Sequence, residues 1–386
     1  MDEPPFTVPL ALQRPRGGIV LHEGGATTPL AEGGRWPLWS PTGDRLAVSF
    51  LDWHDTELKS RLTILGRSGA LIAQPYVTPT GASPLLGPGV PHYGYWSPSG
   101  AELAFVAPSV NGLTLFLAAE EGEARPLVVG APLFPAWSPD GRWLLVHHEA
   151  NLDLFDRVAG TRRTIAGGNA AGFRTPAFSD DNALMAYAVV RESRVEIWCG
   201  PPGDRGAAEA WARFDGSVAF SFLPGSRTLL VAAASSPEQS FFDRLLRVDE
   251  DGVRAVLYRG PLQAFFPAPD GRRVTVVVPG HSPDGRLVVH LRDAWDGRLL
   301  AVSDWFLPSA GQATVFAFFD QFQRSHRLWP PDSACFAVCG FLLGDGLSPL
   351  LGDGQPHLLW WTGERGVPWV AGPAAELAFF PPAIPL

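Results

Sequence analysis

The sequence predicts an all-β protein, and within that class a β-propeller, on three observations. An aromatic residue, a short Ser/Pro-type turn and an apolar strand recur together along the chain. The recurrences keep the spacing of propeller blades. No long stretch carries the 3.6-residue apolar period of a helix, so almost no helix is expected.

The recurring element reads Trp39-Ser-Pro-Thr-Gly43 before Leu46-Ala-Val48, and Trp96-Ser-Pro-Ser-Gly100 before Leu103-Ala-Phe105. It returns as Trp137-Ser-Pro-Asp-Gly141 before Leu144-Leu-Val146, and as Phe178-Ser-Asp-Asp-Asn182 before Met185-Ala-Tyr187. Looser copies are Phe222-Leu-Pro-Gly-Ser226, Pro267-Ala-Pro-Asp-Gly271 and Trp329-Pro-Pro-Asp-Ser333. The turn positions Pro41, Pro98, Pro139, Asp180, Pro224, Pro269, Pro331 and Pro382 lie between 41 (Pro98 to Pro139) and 62 (Pro269 to Pro331) residues apart. One four-stranded blade takes roughly 40–50 residues.

The columns of this register are physically consistent. Two residues past the turn stand Gly43, Gly100, Gly141, Asn182, Ser226, Gly271 and Ser333, mostly types that tolerate left-handed backbone angles. Five past it stand Leu46, Leu103, Leu144, Met185, Leu229, Val274 and Phe336, and seven past it are apolar residues again. The column between them is also small or apolar, from Ala47 to Ala337. A strand apolar on both faces is buried on both faces, as in sheets stacked around a centre. A third segment follows with looser alternation, such as Leu152-Asp-Leu-Phe155, then a more polar fourth, such as Arg162-Arg-Thr-Ile165. That gradient runs from the inside of a blade to its rim.

The two ends of the chain complement each other. Leu377-Ala-Phe-Phe-Pro-Pro382 reads as an inner strand with its turn, while Ile19-Val-Leu-His22 and Thr28-Pro-Leu30 read as outer strands without an inner one. Phe6-Thr-Val-Pro-Leu10 is the candidate second strand, weakened by its proline. Joining the ends in one blade closes the ring and removes an open edge. The count is then eight blades; seven is the alternative if the terminal segment is only a tail. The whole chain, 1–386, reads as one domain.

The Trp-Ser-Pro-Asp-Gly turn before an apolar strand resembles the signature of the TolB-like, WD40-like (PD40) β-propeller repeat family, over nearly the whole chain. The resemblance implies the propeller fold and a docking role, because many relatives serve as docking platforms for other proteins. TolB itself is exported and carries a further N-terminal domain; no signal peptide is visible in this sequence.

Composition narrows the classes. The chain is 46% hydrophobic, enough for a large core, and its net charge is −9, with Lys59 as the single lysine beside 29 arginines. An acidic surface argues against a nucleic-acid binder, since phosphate contacts need clustered positive charge. No run of about 18 apolar residues is present, so no membrane span is expected. Cys199, Cys335 and Cys339 do not form a disulfide framework, which together with the N-terminus suggests a soluble cytoplasmic protein with reduced thiols.

The candidate chemistry is sparse. Cys335 and Cys339 share one strand face roughly 13 Å apart, too far for one bridge or one metal, and read as core thiols. Asp249-Glu-Asp-Gly252 reads as a hairpin turn rather than a calcium loop. His147 and His148 are neighbours on a strand and point to opposite faces, so no zinc site is assigned. Gly280-His-Ser-Pro-Asp-Gly285 places Ser, His and Asp in one turn, where relay geometry is out of reach. Trp53-His-Asp55 reads either as a binding rim or, the favoured reading, as a loop with its aromatic tucked onto the blade. Trp360, Trp361 and Trp369 form either a partner patch or packing between blades.

The most unusual segment is Phe316–Trp329, inside the longest repeat interval, which delivers Asp320, Gln321, Arg324 and His326 toward an inner strand. Four residues before each motif aromatic stand Arg35, His92, Leu133, Arg174, Val218, Gln263, Ser325 and Glu376, a polar ring for an innermost strand. Two readings follow. The first is a non-enzymatic interaction scaffold or accessory subunit with a protein partner. The second is an enzyme or small-ligand binder at the mouth of the central channel, using Arg35, His92, Arg174, Gln263, Asp320, Gln321, Arg324 and His326 for a polar ligand. No catalytic residue, cofactor or metal is assigned.

Overall fold

The protein, seen in a computed structural model, is described over residues 8–54, 56–82, 86, 89–119, 123–172, 174–280, 285–344 and 351–382. Phe6, Asp55 and His281–Asp284, named above, lie outside the described residues. The described chain is all-β apart from two short helices and one 3-10 turn.

Strands follow one another into antiparallel sheets, mostly of four. The first contains Arg35–Trp39, Arg45–His54, Glu57–Gly66 and Leu71–Val77 in that order. The next four repeat this plan, beginning with Tyr93–Trp96, Leu133–Trp137, Ala177–Phe178 and Val218–Phe222. From Ala264–Pro267 to Val370–Ala374 two such units merge, because Phe306–Pro308 pairs with both Leu287–Asp293 and Phe336–Leu342. The last sheet joins Leu377–Phe379 to Leu10–Gln13, followed by Ile19–Glu23 and Ala26–Ala31. This architecture is consistent with a β-propeller. The second strand of that last sheet begins at Leu10 rather than running through Pro9, since Leu10, Ala11 and Leu12 are the residues buried on both faces.

The repeat columns supply the core. Leu46, Leu103, Leu144, Met185, Leu229, Val274 and Phe336 are all fully buried, and so is nearly every residue of the two columns beside them. Each such side chain contributes on the order of 1.5–3 kcal/mol.

The motif turns are built alike. The hydroxyls of Ser40, Ser97, Ser138 and Ser179 each accept from the backbone N–H five residues on, at 2.8–3.1 Å. Gly43, Gly100, Gly141, Asn182, Gly271 and Ser333 have φ between 59° and 72°. In the fifth copy the left-handed angle sits one residue earlier, on Gly225. The motif tryptophans clamp neighbouring sheets: the indole N–H groups of Trp39, Trp96, Trp137 and Trp329 donate to the carbonyls of Phe379, Leu38, Tyr95 and Phe266.

Two expectations change and one open reading is settled. Helix α1 (Ala310–Ala317) and helix α2 (Phe319–Ser325) occupy the segment in which no helix was expected. Ser309 caps α1, its hydroxyl accepting from Gln312 N at 3.0 Å. Trp53 is not tucked onto its sheet; it stands 71% exposed near the tip of a hairpin. Trp360, Trp361 and Trp369 are buried, so that cluster is packing, with the Trp369 indole N–H donating to Asp304 O at 3.1 Å. Other readings hold. Asp249–Gly252 closes a hairpin, and Cys199, Cys335 and Cys339 are buried thiols. His147 and His148 use different partners, backbone carbonyls for the first and Asp153 for the second.

Candidate functional site

The first strands of the sheets converge on a centre, and the two ends of that centre differ. Antiparallel pairing puts the motif turns at one end and the hairpins between second and third strands at the other. Helix α2 plugs the hairpin end.

The plug is held by rings and by main-chain hydrogen bonds. Phe319 packs against Phe242, Phe265 and Phe266, while Phe322 packs against Trp36 and Tyr93. The Tyr93 hydroxyl donates to Gln321 O at 3.0 Å, and Thr175 N donates to Asp320 Oδ2 at 3.2 Å. Arg174 lies over the Phe242 ring, and burial lowers its pKa while the nearby Asp320 charge raises it. Asp320, Gln321 and Arg174 are thus brought together as parts of the plug.

His92 is elsewhere, sealed between the first two sheets. Its Nδ1 pairs with Ser49 Oγ at 2.9 Å and its Nε2 with Ser60 Oγ at 3.1 Å. Burial pushes its pKa down to about 3, so the ring is neutral. Arg35 opens its strand and Gln263 sits in the bend between two strands, neither with a hydrogen bond or ion pair to the other candidates among the described residues. Glu376 accepts from Gly311 N at 2.6 Å and so holds the start of α1.

The motif-turn end is open. There a cavity of about 400 Å³ is walled by the turn prolines Pro41, Pro98, Pro139, Pro224, Pro269 and Pro382. Proline fixes φ, so this lip is stiff. Gln323, Arg324, His326 and Arg327 line the cavity, and the chain carries them there as it leaves α2 for Trp329. Arg324 donates from Nε to Asp320 O at 3.2 Å and from Nη2 to Phe220 O at 3.1 Å, which fixes its plane. Its pKa is lowered first by burial. His326 is buried against Phe379, with Nδ1 paired to Ser325 Oγ at 2.8 Å, and burial pushes it to about 3. It carries no charge at neutral pH.

Arg327 and Gln323 were not singled out in the sequence. Arg327 had a visible signal. Two residues before each motif aromatic stand Pro37, Gly94, Pro135, Pro176, Phe220, Phe265, Arg327 and Ala378, so Arg327 is the one charge in its column. Asp180 is likewise the one residue other than proline at the turn position, and it also lines the cavity. Gln323 had no such signal. Among the described residues no group of three or more His, Cys, Asp or Glu is placed to hold a metal ion, and no helix is long and apolar enough to cross a membrane.

No family profile matches the chain, and no curated protein matches it in sequence. Among solved structures, a eukaryotic initiation factor aligns over 98% of this chain and 99% of its own, with 12% identity and a TM-score of 0.56. An oligogalacturonate lyase in complex with manganese aligns over 82% of each chain, with 11% identity and a TM-score of 0.50. TolB from Acinetobacter baumannii aligns over 88% of this chain and 83% of its own, with 14% identity, but its TM-score of 0.39 carries no argument. At such identities the first two likenesses speak for the fold alone.

Proposed function

We propose that the protein is an eight-bladed, TolB-like propeller, its ring closed by the sheet that pairs Leu10–Gln13 with Leu377–Phe379. It works as a recognition module through the funnel at the motif-turn end. The observation that carries this reading is the unspent hydrogen-bonding capacity on the funnel floor. Gln323 lines the cavity with its amide O and N buried and without partners among the described residues. Such groups cost on the order of 1–3 kcal/mol each until something meets them. The hairpin end, by contrast, is filled by the chain itself.

The test is a thermal-shift screen of small acids, bases and neutral polar compounds, repeated with Asp180→Trp. Asp180 is exposed at the lip, so the indole would obstruct the funnel without entering the core. Ligands that stabilise the native protein and lose their effect in Asp180→Trp support the reading. An unchanged response in the variant would remove the funnel from consideration.

A protein-docking reading draws on the opposite end. Trp53, Val110, Phe241 and Phe318 stand 71%, 77%, 53% and 43% exposed there, on hairpins and at the α1–α2 junction. Aromatic side chains in the open are common anchors for a partner. A partner recovered by the native protein but equally by a Trp53→Ser/Phe241→Ser double variant would count against that surface.

A further inference from the structure

We infer that the funnel floor is an oxyanion-binding site in which Arg327 clasps a carboxylate or phosphate group, with Arg324 and the Tyr95 hydroxyl beside it. This rests on the funnel being the recognition site and adds the chemistry of what enters it.

The charge balance of the cavity gives the sign. Its charged lining residues are Asp180, Arg324 and Arg327, and His326 is neutral. The Arg327 guanidinium has no hydrogen bond or ion pair among the described residues. Burial lowers its pKa, with Tyr95 and Asp180 acting against that from nearby. Asp180 makes no ion pair with it among the described residues; its Oδ2 instead accepts from Gly225 N at 2.7 Å across the lip, so the guanidinium fork stays open. A half-buried cation with a free planar fork, open to the cavity, is well placed to take a partner. The partner that matches such a fork is a carboxylate or a phosphate, taken up by two parallel N–H···O bonds.

The neighbours suit the same ligand. Arg324 is held rigidly by Asp320 O and Phe220 O, so its charge faces the cavity without needing to reorganise. The Tyr95 hydroxyl has no hydrogen-bond partner among the described residues, and burial raises its pKa, so it stays protonated and able to donate. Above this floor the walls are proline rings and the edges of Phe178, Phe222 and Phe266. A compound with an acidic head and an apolar body fits that gradient. The volume, about 400 Å³, lies within the range of small-molecule sites. An acidic side chain presented by a partner protein offers the same head group.

Titration calorimetry on the whole chain separates these sources. The probes are inorganic phosphate, succinate, benzoate and an acetylated, amidated tri-glutamate peptide. Binding of any of them to the native protein, weakened about tenfold or more in Arg327→Gln, is the expected result. The probe that binds most tightly names the source. Asp180→Asn, which removes the one acid among the residues lining the cavity, tightens the same probe. No binding of any probe at tens of millimolar overturns the inference, as does an unchanged affinity in Arg327→Gln. Should Arg327→Gln fail to fold, Asp180→Asn decides alone: tighter binding supports the site and unchanged binding overturns it. Neutral or basic compounds that bind in the screen and are lost in Asp180→Trp, while no oxyanion binds, would keep the funnel and discard the oxyanion.

Discussion

The two ends of the protein's centre are made from the same strands and reach opposite states. At the hairpin end the polar groups are largely met from within the chain: Asp320 by Thr175 N, Gln321 O by Tyr93, and His92 by two serines, although Thr175 Oγ1 and Gln312 Nε2 have no partner among the described residues. At the motif-turn end the Gln323 amide is buried without partners among the described residues, and the half-buried Arg327 guanidinium makes no hydrogen bond or ion pair among them. A buried polar group that the fold satisfies serves stability, and one that the fold leaves open is held ready for something else. On the reading proposed above, the plugged end is structural and the open end is the one kept for recognition.

That contrast sets the order of effects expected from substitution. Phe319→Ala, which empties the plug among Phe242, Phe265 and Phe266, should cost about 3–5 kcal/mol, read as a lowered midpoint in urea. Acidification comes next. His92 and His326 have folded pKa values pushed to about 3, below the ordinary 6.5. The unfolded chain therefore binds more protons between those limits. Their contribution is fully present above pH 6.5 and is lost as pH falls toward 3, at about 1.4 kcal/mol per pH unit for each ring. Urea midpoints measured from pH 7 to 4 should fall, and fall less steeply in His92→Gln. Asp320→Ala, which orphans Thr175 N and removes the charge near Arg174, should cost about 1–3 kcal/mol. Trp39→Phe deletes one clamp between sheets and should cost about 1 kcal/mol. Arg327→Gln belongs at the end of the series, with stability unchanged to within about 1 kcal/mol or raised, because it removes a charge that nothing in the fold pairs. A large loss of stability in Arg327→Gln would make the floor of the funnel as structural as the plug.

The sheets were legible because period-2 columns and turn residues recur in register from Trp39 to Ser333. The helices were not. α1 and α2 are short, and Val315, Phe316, Phe319 and Phe322 are buried alongside Gln312, Asp320 and Gln321. With polar and apolar residues buried together in so short a span, no clean apolar stripe is left to read. The Ser309-x-x-Gln312 cap was its sequence trace, although Gln312 Oε1 turns away to accept from Cys339 N. The candidate ring four residues before each aromatic mixed two environments. Its register put Ser325 at the end of α2 and Glu376 just ahead of Leu377–Phe379 rather than on inner strands, and whether a polar side chain there is paired depends on the plug, which the repeat does not encode. Arg324 and His326 were found because the segment looked irregular. Arg327 and Asp180 stand out only when every column is compared, since each replaces a proline or an uncharged residue of its own series.

The pairing of Leu10–Gln13 with Leu377–Phe379 also shapes biosynthesis. At roughly 5–20 residues per second a ribosome needs on the order of 20–70 s to deliver the second partner after the first. Throughout that interval Leu10–Gln13, apolar and destined for burial on both faces, waits as an unprotected edge open to strands from other nascent chains. Yield in a cell would then depend on elongation speed and on chaperone supply. A circular permutant that places Leu377–Phe379 directly before Leu10–Gln13 would shorten the wait to one hairpin.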